Sequence, residues 1–312
     1  MRDFLKVYWP LLAVAALGVL IALAFVDPGP PRRVVIAGGA PGGAYAAAAA
    51  VYAQALAEKD VDAQALSTFG SLDNLRRLTS GEAGVGIVQA GTATGVDTSE
   101  LRSIGAVFYE PLWVFHRAQL AVDGLEDLRG LRLAVGAPAS GQRQLADLLL
   151  AESGVAPGGY TPLDLGGAQA AEALKRGAAD AVLIVSGPEP AFIADLLAAP
   201  GVELLSLERA PALARRHPFL DVVTLYAGVI DPARDLPRRD VRLLAPAAEI
   251  VVRADLHPAI QSVLIEAAFA AHSKGSILAE PAVFPTPDLT DIPLSSEARR
   301  YYRNGATFLR RW

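Results

Sequence analysis

The 312-residue chain contains no cysteine and only four histidines. The missing cysteines exclude disulfides, thiolate metal sites, cysteine nucleophiles and cysteine lipidation. The histidines have none of the short spacings of metal-binding motifs; they are His116, His217, His257 and His272. We therefore expect neither a metal site nor a cofactor.

Basic charge is not in excess either. The chain has 28 Lys and Arg residues against 33 Asp and Glu, which gives a formal net charge of −5 at pH 7. Nucleic-acid-binding domains usually present a basic face, so we expect no nucleic-acid partner. Charged residues make up 20% of the chain and hydrophobic residues 52%, a balance that indicates a folded core rather than disorder.

Catalytic signatures are missing as well. Around Ser140 the G-x-S-x-G turn of hydrolases fails, because Pro138 occupies the position of the first glycine. The dinucleotide-binding pattern G-x-G-x-x-G fails within residues 38–43, where alanine or proline stands at the second glycine position. Because no nucleophile or acid–base constellation emerges, the sequence predicts a protein that is not an enzyme.

One long apolar run is present near the N-terminus. Residues 7–26 are uncharged, and as a helix they would span about 30 Å, enough to cross a bilayer. Arg2 and Lys6 precede the run and a proline-rich segment follows it. The end of the run lacks the small residues of a signal-peptide cleavage site. We predict an uncleaved transmembrane helix within residues 1–27, with a cleaved signal peptide as the alternative.

The remaining chain contains one local pattern twice. A predicted buried strand leads into a glycine-rich turn and then into a helix. Such a turn places backbone N–H groups at a helix start, where the partial positive charge favours small anions. We predict that two such turns, one in each of two lobes, clamp a carboxylate. The strand, turn and helix lie at 34–37, 38–43 and 44–59, and again at 131–135, 136–141 and 142–153.

Strand and helix patterns continue to alternate, which is typical of a parallel sheet with helices on both faces. The predicted fold class is therefore α/β, with two doubly wound lobes and a ligand cleft between them. Residues 28–115 together with 225–312 form the predicted lobe 1, and residues 116–224 form the predicted lobe 2. Residues 75–83 and 173–181 match in type, which indicates that the lobes repeat one module.

Four segments occur in a recognisable order: GGAPGGAY at 38–45, GSLDNL at 70–75, VQAG at 88–91 and LEDLRGLRLAVG at 125–136. In order and spacing they resemble the solute receptors of TRAP transporters of the TAXI type. That resemblance implies the type II periplasmic binding-protein fold. The chain departs from the family at Gln142, where the family usually has threonine.

The resemblance also implies a function. A TAXI receptor captures a small organic anion in the periplasm, glutamate-like or dicarboxylic, and delivers it to a TRAP-type membrane permease. With an uncleaved N-terminal helix, the receptor would be anchored at the periplasmic face of the inner membrane. After cleavage it would be secreted into the periplasm. The alternative function is a membrane-tethered sensor or scaffold with the same fold and no transport partner.

Six residues of lobe 1 are predicted ligand contacts. The glycines would present N–H groups, and the tyrosine would donate its hydroxyl or instead pack on its own helix. The glutamine ends an apolar strand at its carboxyl edge, where ligands bind in open α/β sheets. The serine and asparagine lie in the segment that borders the cleft in the family, although the serine would also suit a helix cap. The residues are Gly42, Gly43, Tyr45, Ser71, Asn74 and Gln89.

Five residues of lobe 2 complete the predicted site. The arginine would offer its planar fork to a carboxylate, unless it points to solvent. Tyr109 and Glu110 lie where the chain crosses between the lobes, so a hinge role is as plausible for them as ligand contact. The five predicted contacts are Ser140, Gly141, Gln142, Arg143 and Ser186.

Overall fold

The chain forms two compact units, Met1–Pro31 and Arg32–Trp312. The computed structural model describes residues 8–9, 11, 13–18, 29–138 and 140–305.

In the N-terminal unit, the described residues between 8 and 18 are helical. Their large apolar side chains are exposed, among them Trp9, Leu11 and Val14. Most of the predicted membrane-spanning run 7–26 lies outside the described residues. Within the described residues, no helix combines the length and the apolar character that crossing a bilayer requires.

The larger unit alternates strands and helices as the sequence predicts. Its described strands are β1 (Arg33–Ala37), β2 (Asp62–Leu66), β3 (Val85–Gln89), β4 (Leu101–Tyr109), β5 (Leu112–Arg117), β6 (Arg132–Ala134), β7 (Thr161–Leu163), β8 (Ala181–Val185), β9 (Val202–Leu204), β10 (Leu220–Leu225) and β11 (Val241–Arg253). Its described helices are α1 (Ala44–Ala57), α2 (Ser71–Ser80), α3 (Gly141–Glu152), α4 (Gly167–Lys175), α5 (Ala191–Ala198), α6 (Ala210–Arg216), α7 (Pro258–His272) and α8 (Ser296–Asn304).

Local sequence explains where these helices form and end. Helix α1 is rich in alanine, the strongest helix former. Its residues Ala48, Tyr52 and Leu56 recur every four positions and are buried, so they form one face toward the core. Gly81 and Gly177 have φ of +80° and +72°, the left-handed backbone that terminates a helix most easily with glycine.

The predicted internal repeat is confirmed by the strand topology. In the first copy, β1 lies between β2 and β3 and runs parallel to both. In the second copy, β6 lies between β7 and β8, again in parallel. The connecting helices are α1 and α2 in one copy and α3 and α4 in the other.

Strand β11 links the two copies. Its first half pairs with β10 and, through Leu244 and Leu112, with β5. Its second half pairs with β3 and β4. We call the side containing β1–β4 lobe 1 and the side containing β5–β10 lobe 2. The chain also crosses between them from β4 to β5, through Glu110 and Pro111. The predicted lobe limits at 115 and 225 stay a prediction.

Each lobe packs its own hydrophobic core. In lobe 1, helices α1 and α7 cover the sheet, and Tyr52 of α1, Leu264 of α7 and Ile250 of β11 are fully buried in one cluster. In lobe 2, Leu149 and Trp113 belong to clusters on the second sheet. A large apolar side chain stabilises the fold by about 1.5–3 kcal/mol when it is fully buried. Separate cores allow each lobe to act as a rigid body.

Part of lobe 2 was not predicted as regular structure. Helix α5 has eight residues, β9 three and α6 seven. Elements this short contain too few turns or alternations to show a hydrophobic period. They lie between β8 and β10, away from the repeated module.

Candidate functional site

The carboxyl ends of the parallel strands lie where the two lobes meet. In lobe 1 these ends lead into residues 38–43 after β1, 67–70 after β2 and 90–92 after β3. In lobe 2 the ends of β6 and β8 lead into residues 135–140 and 186–190. Ligands of open α/β sheets bind outside this edge. The predicted site residues therefore come from several loops that share one edge.

A chain of hydrogen bonds joins three of the predicted residues of lobe 1. The main-chain N–H of Gln89 donates to Ser71 Oγ at 2.9 Å, and Ser71 Oγ lies 3.3 Å from the Tyr45 hydroxyl. That hydroxyl donates to Glu110 Oε2 at 2.5 Å. Ser71 does not cap its helix, because Gly70 is the N-cap residue and Ser71 the first helical one. The capping alternative for Ser71 is therefore wrong.

Gln89 extends this chain into lobe 2. Its Nε2 donates to the main-chain oxygen of Gly141, at 3.4 Å. A Cβ at position 141 would lie 2.9 Å from Thr92 Cγ2 and 3.1 Å from Gln89 Oε1, so only glycine allows this approach without displacement. Gly141 is thus a contact between the lobes, and the predicted residues Tyr45, Ser71, Gln89 and Gly141 form one connected group.

The start of α1 matches the predicted anion site in its backbone geometry. Gly42 has φ of +79°, a conformation that favours glycine. Gly43 is the N-cap residue, and no side chain caps the helix. The first N–H groups of an uncapped helix are left for water or a ligand. Whether a ligand occupies them stays a prediction.

Burial dominates the electrostatics of the Tyr45–Glu110 pair. Glu110 is only 7% exposed. Burial raises the pKa of the Glu110 carboxyl to about 7, the Tyr45 hydrogen bond opposes this rise, and the charge of Glu189 adds to it. Burial, followed by the charge of Glu110, raises the pKa of Tyr45 well above its usual range. Burial thus favours the protonated form of both groups.

A second buried carboxyl lies on β11. Glu249 is fully buried, with the side chains of Asp291 and Ser103 beside its carboxyl group. Burial, with the nearby carboxyl of Asp291 second, raises the pKa of Glu249 well above its usual range. Asp291 itself accepts the Gly91 N–H at 2.8 Å. Burial thus favours the protonated form of Glu249.

Asn74 has a structural role inside lobe 1. It is fully buried. Its Nδ2 donates to the main-chain oxygens of Gly38 and Ile87, both at 2.6 Å, and its Oδ1 accepts from the Thr68 hydroxyl at 2.6 Å. The side chain is thereby committed to the framework that holds the turn after β1. We leave it out of the proposed ligand contacts.

The predicted residues of lobe 2 are bonded mainly within that lobe. Gln142 Nε2 donates to the Leu183 oxygen at 2.8 Å. Ser140 caps α3 by accepting the Arg143 N–H at 3.1 Å, which satisfies one of the helix-start donors. The hydroxyl of Ser186 donates to the Gly187 oxygen at 3.0 Å. These polar groups shape lobe 2 and leave little side-chain capacity for a ligand.

Arg143 is paired with two carboxylates of its own lobe. Its Nε lies 3.0 Å from Asp147 Oδ2, one helical turn further along α3, and its Nη1 lies 3.1 Å from Asp164 Oδ1. The hydroxyl of Tyr160 also donates to Asp147. The guanidinium therefore runs along the helix and away from its N-terminus. The guanidinium of Arg143 is thus taken up by these two carboxylates at the place where the sequence predicts that it binds a ligand carboxylate.

Tyr109 and Glu110, whose roles the sequence left open, both lie at the crossing from β4 to β5. The Tyr109 hydroxyl donates to Asp221 Oδ2 at 2.5 Å. Its ring packs edge-on against the Phe284 ring, with 4.7 Å between the ring centroids. Tyr109 therefore braces the crossing. Glu110, one residue later, instead joins the hydrogen-bond chain. Sequence reasoning gave no signal for its burial, because a glutamate before proline resembles an exposed loop residue.

Comparison with known proteins places the chain in a family. A model of the NMT1-like family matches residues 36–274. Because this match covers more than half of the chain, the chain belongs to the NMT1-like family.

Solved structures are similar to this chain at low sequence identity. A protein from Bordetella bronchiseptica RB50 is 18% identical, with a TM-score of 0.52 over 77% of this chain and 70% of that one. The periplasmic aliphatic sulphonate binding protein SsuA from Escherichia coli is 16% identical, with a TM-score of 0.48 over 88% of each chain. The alkanesulfonate-binding protein SsuA from Xanthomonas axonopodis pv. citri, bound to MOPS, is 22% identical, with a TM-score of 0.42 over 57% of this chain.

The present chain covers 62% of that Xanthomonas protein. The likeness to the Bordetella protein, at 18% identity, concerns the fold alone. The described residues form a mixed α/β architecture, as the sequence predicts.

Proposed function

We propose that this member of the NMT1-like family is a solute receptor that captures a small organic ligand between its lobes. The observation that supports this proposal is the hydrogen-bond chain from Tyr45 through Ser71 and Gln89 to Gly141. It connects groups of both lobes at the carboxyl edge of the strands, where a bound ligand would contact both at once. Within the described residues the chain crosses between the lobes twice, from β4 to β5 and along β11, which suits closure on a hinge.

The ligand class follows from the groups at this edge. The uncapped start of α1 suits a carboxylate, so we propose a glutamate-like or dicarboxylic acid, as the TAXI resemblance implies. In the finer form of the proposal, the receptor works in the periplasm, is tethered by its N-terminal segment and delivers its ligand to a TRAP-type permease. Ligand-dependent association with such a permease in membranes separates this role from that of a sensor or scaffold.

The test is calorimetric titration of the purified full-length protein with glutamate, glutamine, succinate, 2-oxoglutarate and fumarate. We expect micromolar or tighter binding of at least one compound. Tyr45→Phe removes only the hydroxyl that joins Ser71 to Glu110. We expect this loss of a hydrogen bond to the Glu110 carboxyl to weaken ligand binding by about 1.5–3 kcal/mol, or roughly 10- to 150-fold in affinity.

Tyr226→Phe is the matched control for this experiment. Tyr226 is 58% exposed at the end of β10, so removal of its hydroxyl should leave the affinity unchanged. Equal losses in the two variants would contradict the proposed site. Absence of binding by every compound to the folded wild-type protein would contradict the receptor function for this ligand class.

A further inference from the structure

Glu110 is built into the site as an incompletely paired carboxyl group. More than nine-tenths of the residue is buried. Its Oε2 accepts from Tyr45, whereas its Oε1 has no partner among the described residues. The group lies at the crossing between the lobes, next to the hydrogen-bond chain. It therefore presents one open oxygen at the place where a ligand would be held.

A second carboxylate approaches Glu110 from lobe 2. Glu189 follows β8 and folds back over the main chain of Gly187, so closely that a Cβ at 187 would collide with Glu189 Oε2. The N–H of Ser186 donates to the oxygen of Pro111 at 3.3 Å, which fixes this end of β8 beside the crossing. Two acidic side chains, one from the crossing and one from lobe 2, thus border the same space.

Within the described residues, no cation balances this pair. Neither glutamate takes part in an ion pair, and no basic group contributes to the environment of Glu110. Arg143, the arginine predicted for the site, is occupied by Asp147 and Asp164. A buried carboxylate is stable in its charged form only when an opposite charge or several donors accompany it. The missing charge is one that a ligand can supply.

We propose that Glu110 selects, within the proposed receptor site, ligands that contain a protonated amine. The amine would donate to Glu110 Oε1, with Glu189 on the opposite side, while a carboxylate of the same ligand would lie at the start of α1. This inference rests on the proposed function. It favours amino-acid-like ligands over plain dicarboxylates.

The same geometry makes capture depend on pH. Tyr45 faces Glu110 from α1, Glu189 faces it from the segment after β8, and Glu249 on β11 acts on Tyr45. Because the pKa of Glu110 is about 7 without ligand, the protonated carboxyl must lose its proton to bind an ammonium group. Aliphatic amines stay protonated up to about pH 10. Amine affinity should therefore rise about tenfold between pH 6 and pH 8 and then level off.

Matched ligand pairs test the proposal with the full-length protein. The pairs are glutamate and glutarate, 4-aminobutyrate and butyrate, and putrescine and butane-1,4-diol. In calorimetric titrations at pH 8, we expect an amine to bind at least tenfold more tightly than its amine-free partner. Glu110→Gln should remove that difference and the pH dependence. Glu203→Gln, which removes the same charge from an exposed position on β9, should preserve both.

The possible outcomes separate this inference from the proposed function. If the amine-free partner binds as tightly as the amine, or more tightly, the receptor function stands and the amine selection is wrong. The amine selection is also wrong if Glu110→Gln retains the preference for the amine and its pH dependence while its thermal unfolding matches the wild type. If no compound of any pair binds the folded protein, both proposals are contradicted.

Discussion

The two lobes have the same strand order but use their polar residues differently. In lobe 1, Tyr45, Ser71 and Gln89 form a chain that leaves the lobe and reaches Gly141. In lobe 2, Gln142 and Arg143 bond to groups of their own lobe. One module, used twice, has thus become a half whose polar chain reaches the other lobe and a half whose polar groups bond within their own lobe. A repeat in sequence therefore does not imply that both copies contribute equally to a site.

The largest expected difference between the lobes concerns two amides at equivalent places. Asn74 bonds to Ile87, the middle residue of β3, and Gln142 bonds to Leu183, the middle residue of β8. Asn74 has two further buried bonds, whereas Gln142 is only partly buried. Asn74→Leu should lower the free energy of unfolding by about 3 kcal/mol, because it removes three buried hydrogen bonds. Gln142→Leu should lower it by about 1 kcal/mol.

Urea unfolding of both variants measures this difference. Equal losses would show that the two amides support their lobes to the same extent. That result would contradict the separate structural role assigned to Asn74.

The comparison also shows which features the sequence could reveal. Glycine positions and apolar periods predict both copies of the module, because they depend on local backbone geometry. The place of Gln89 at the carboxyl end of β3 was predictable because this residue ends an apolar run. Two other contacts were not predictable. Ile87 comes next to Asn74, and Asp164 comes next to Arg143, only after the chain has folded. The burial of Glu110 depends likewise on the packing of both lobes around the crossing.

The next prediction concerns how the buried Glu110 carboxyl lowers the free energy of unfolding as the pH rises. Because the pKa of Glu110 is about 7 in the folded protein against 4.5 normally, the folded state holds this proton more tightly than the unfolded state. Its stabilising contribution is complete below pH 4.5 and is lost as the pH rises to about 7. Glu110→Gln should therefore exceed the wild type in stability at pH 8 by about 2–3 kcal/mol, and match it near pH 4.

Unfolding of the ligand-free protein across this pH range provides the measurement. Glu203→Gln should follow the wild type at every pH, because its side chain is exposed. If Glu110→Gln loses as much free energy of unfolding between pH 4 and pH 8 as the wild type does, the titrating group is another residue.

A smaller effect is expected at a second contact between the lobes. Gly91 lies under the Phe219 ring, and a Cβ there would lie 2.6 Å from Phe219 Cδ2. Gly95 has a similar positive φ, +82° against +91°, but open space around it. Both alanine variants strain the backbone by about 1 kcal/mol, whereas Gly91→Ala should cost about 1–2 kcal/mol more through the clash. In unfolding experiments, adding Phe219→Ala should relieve the excess only at position 91.

The smallest effect is expected for Arg143, and it decides how far lobe 2 is self-contained. Its guanidinium already contacts Asp147 and Asp164, so its charge is largely balanced before any ligand arrives. Arg143→Gln should change the affinity for the ligand by less than about threefold, or 0.7 kcal/mol, in the same titrations in which Tyr45→Phe loses at least tenfold. A loss above tenfold for Arg143→Gln would mean that the ligand draws the arginine away from its two carboxylates. Lobe 2 would then contribute charge to the site, and the acidic character inferred from Glu110 and Glu189 would hold only for the ligand-free state.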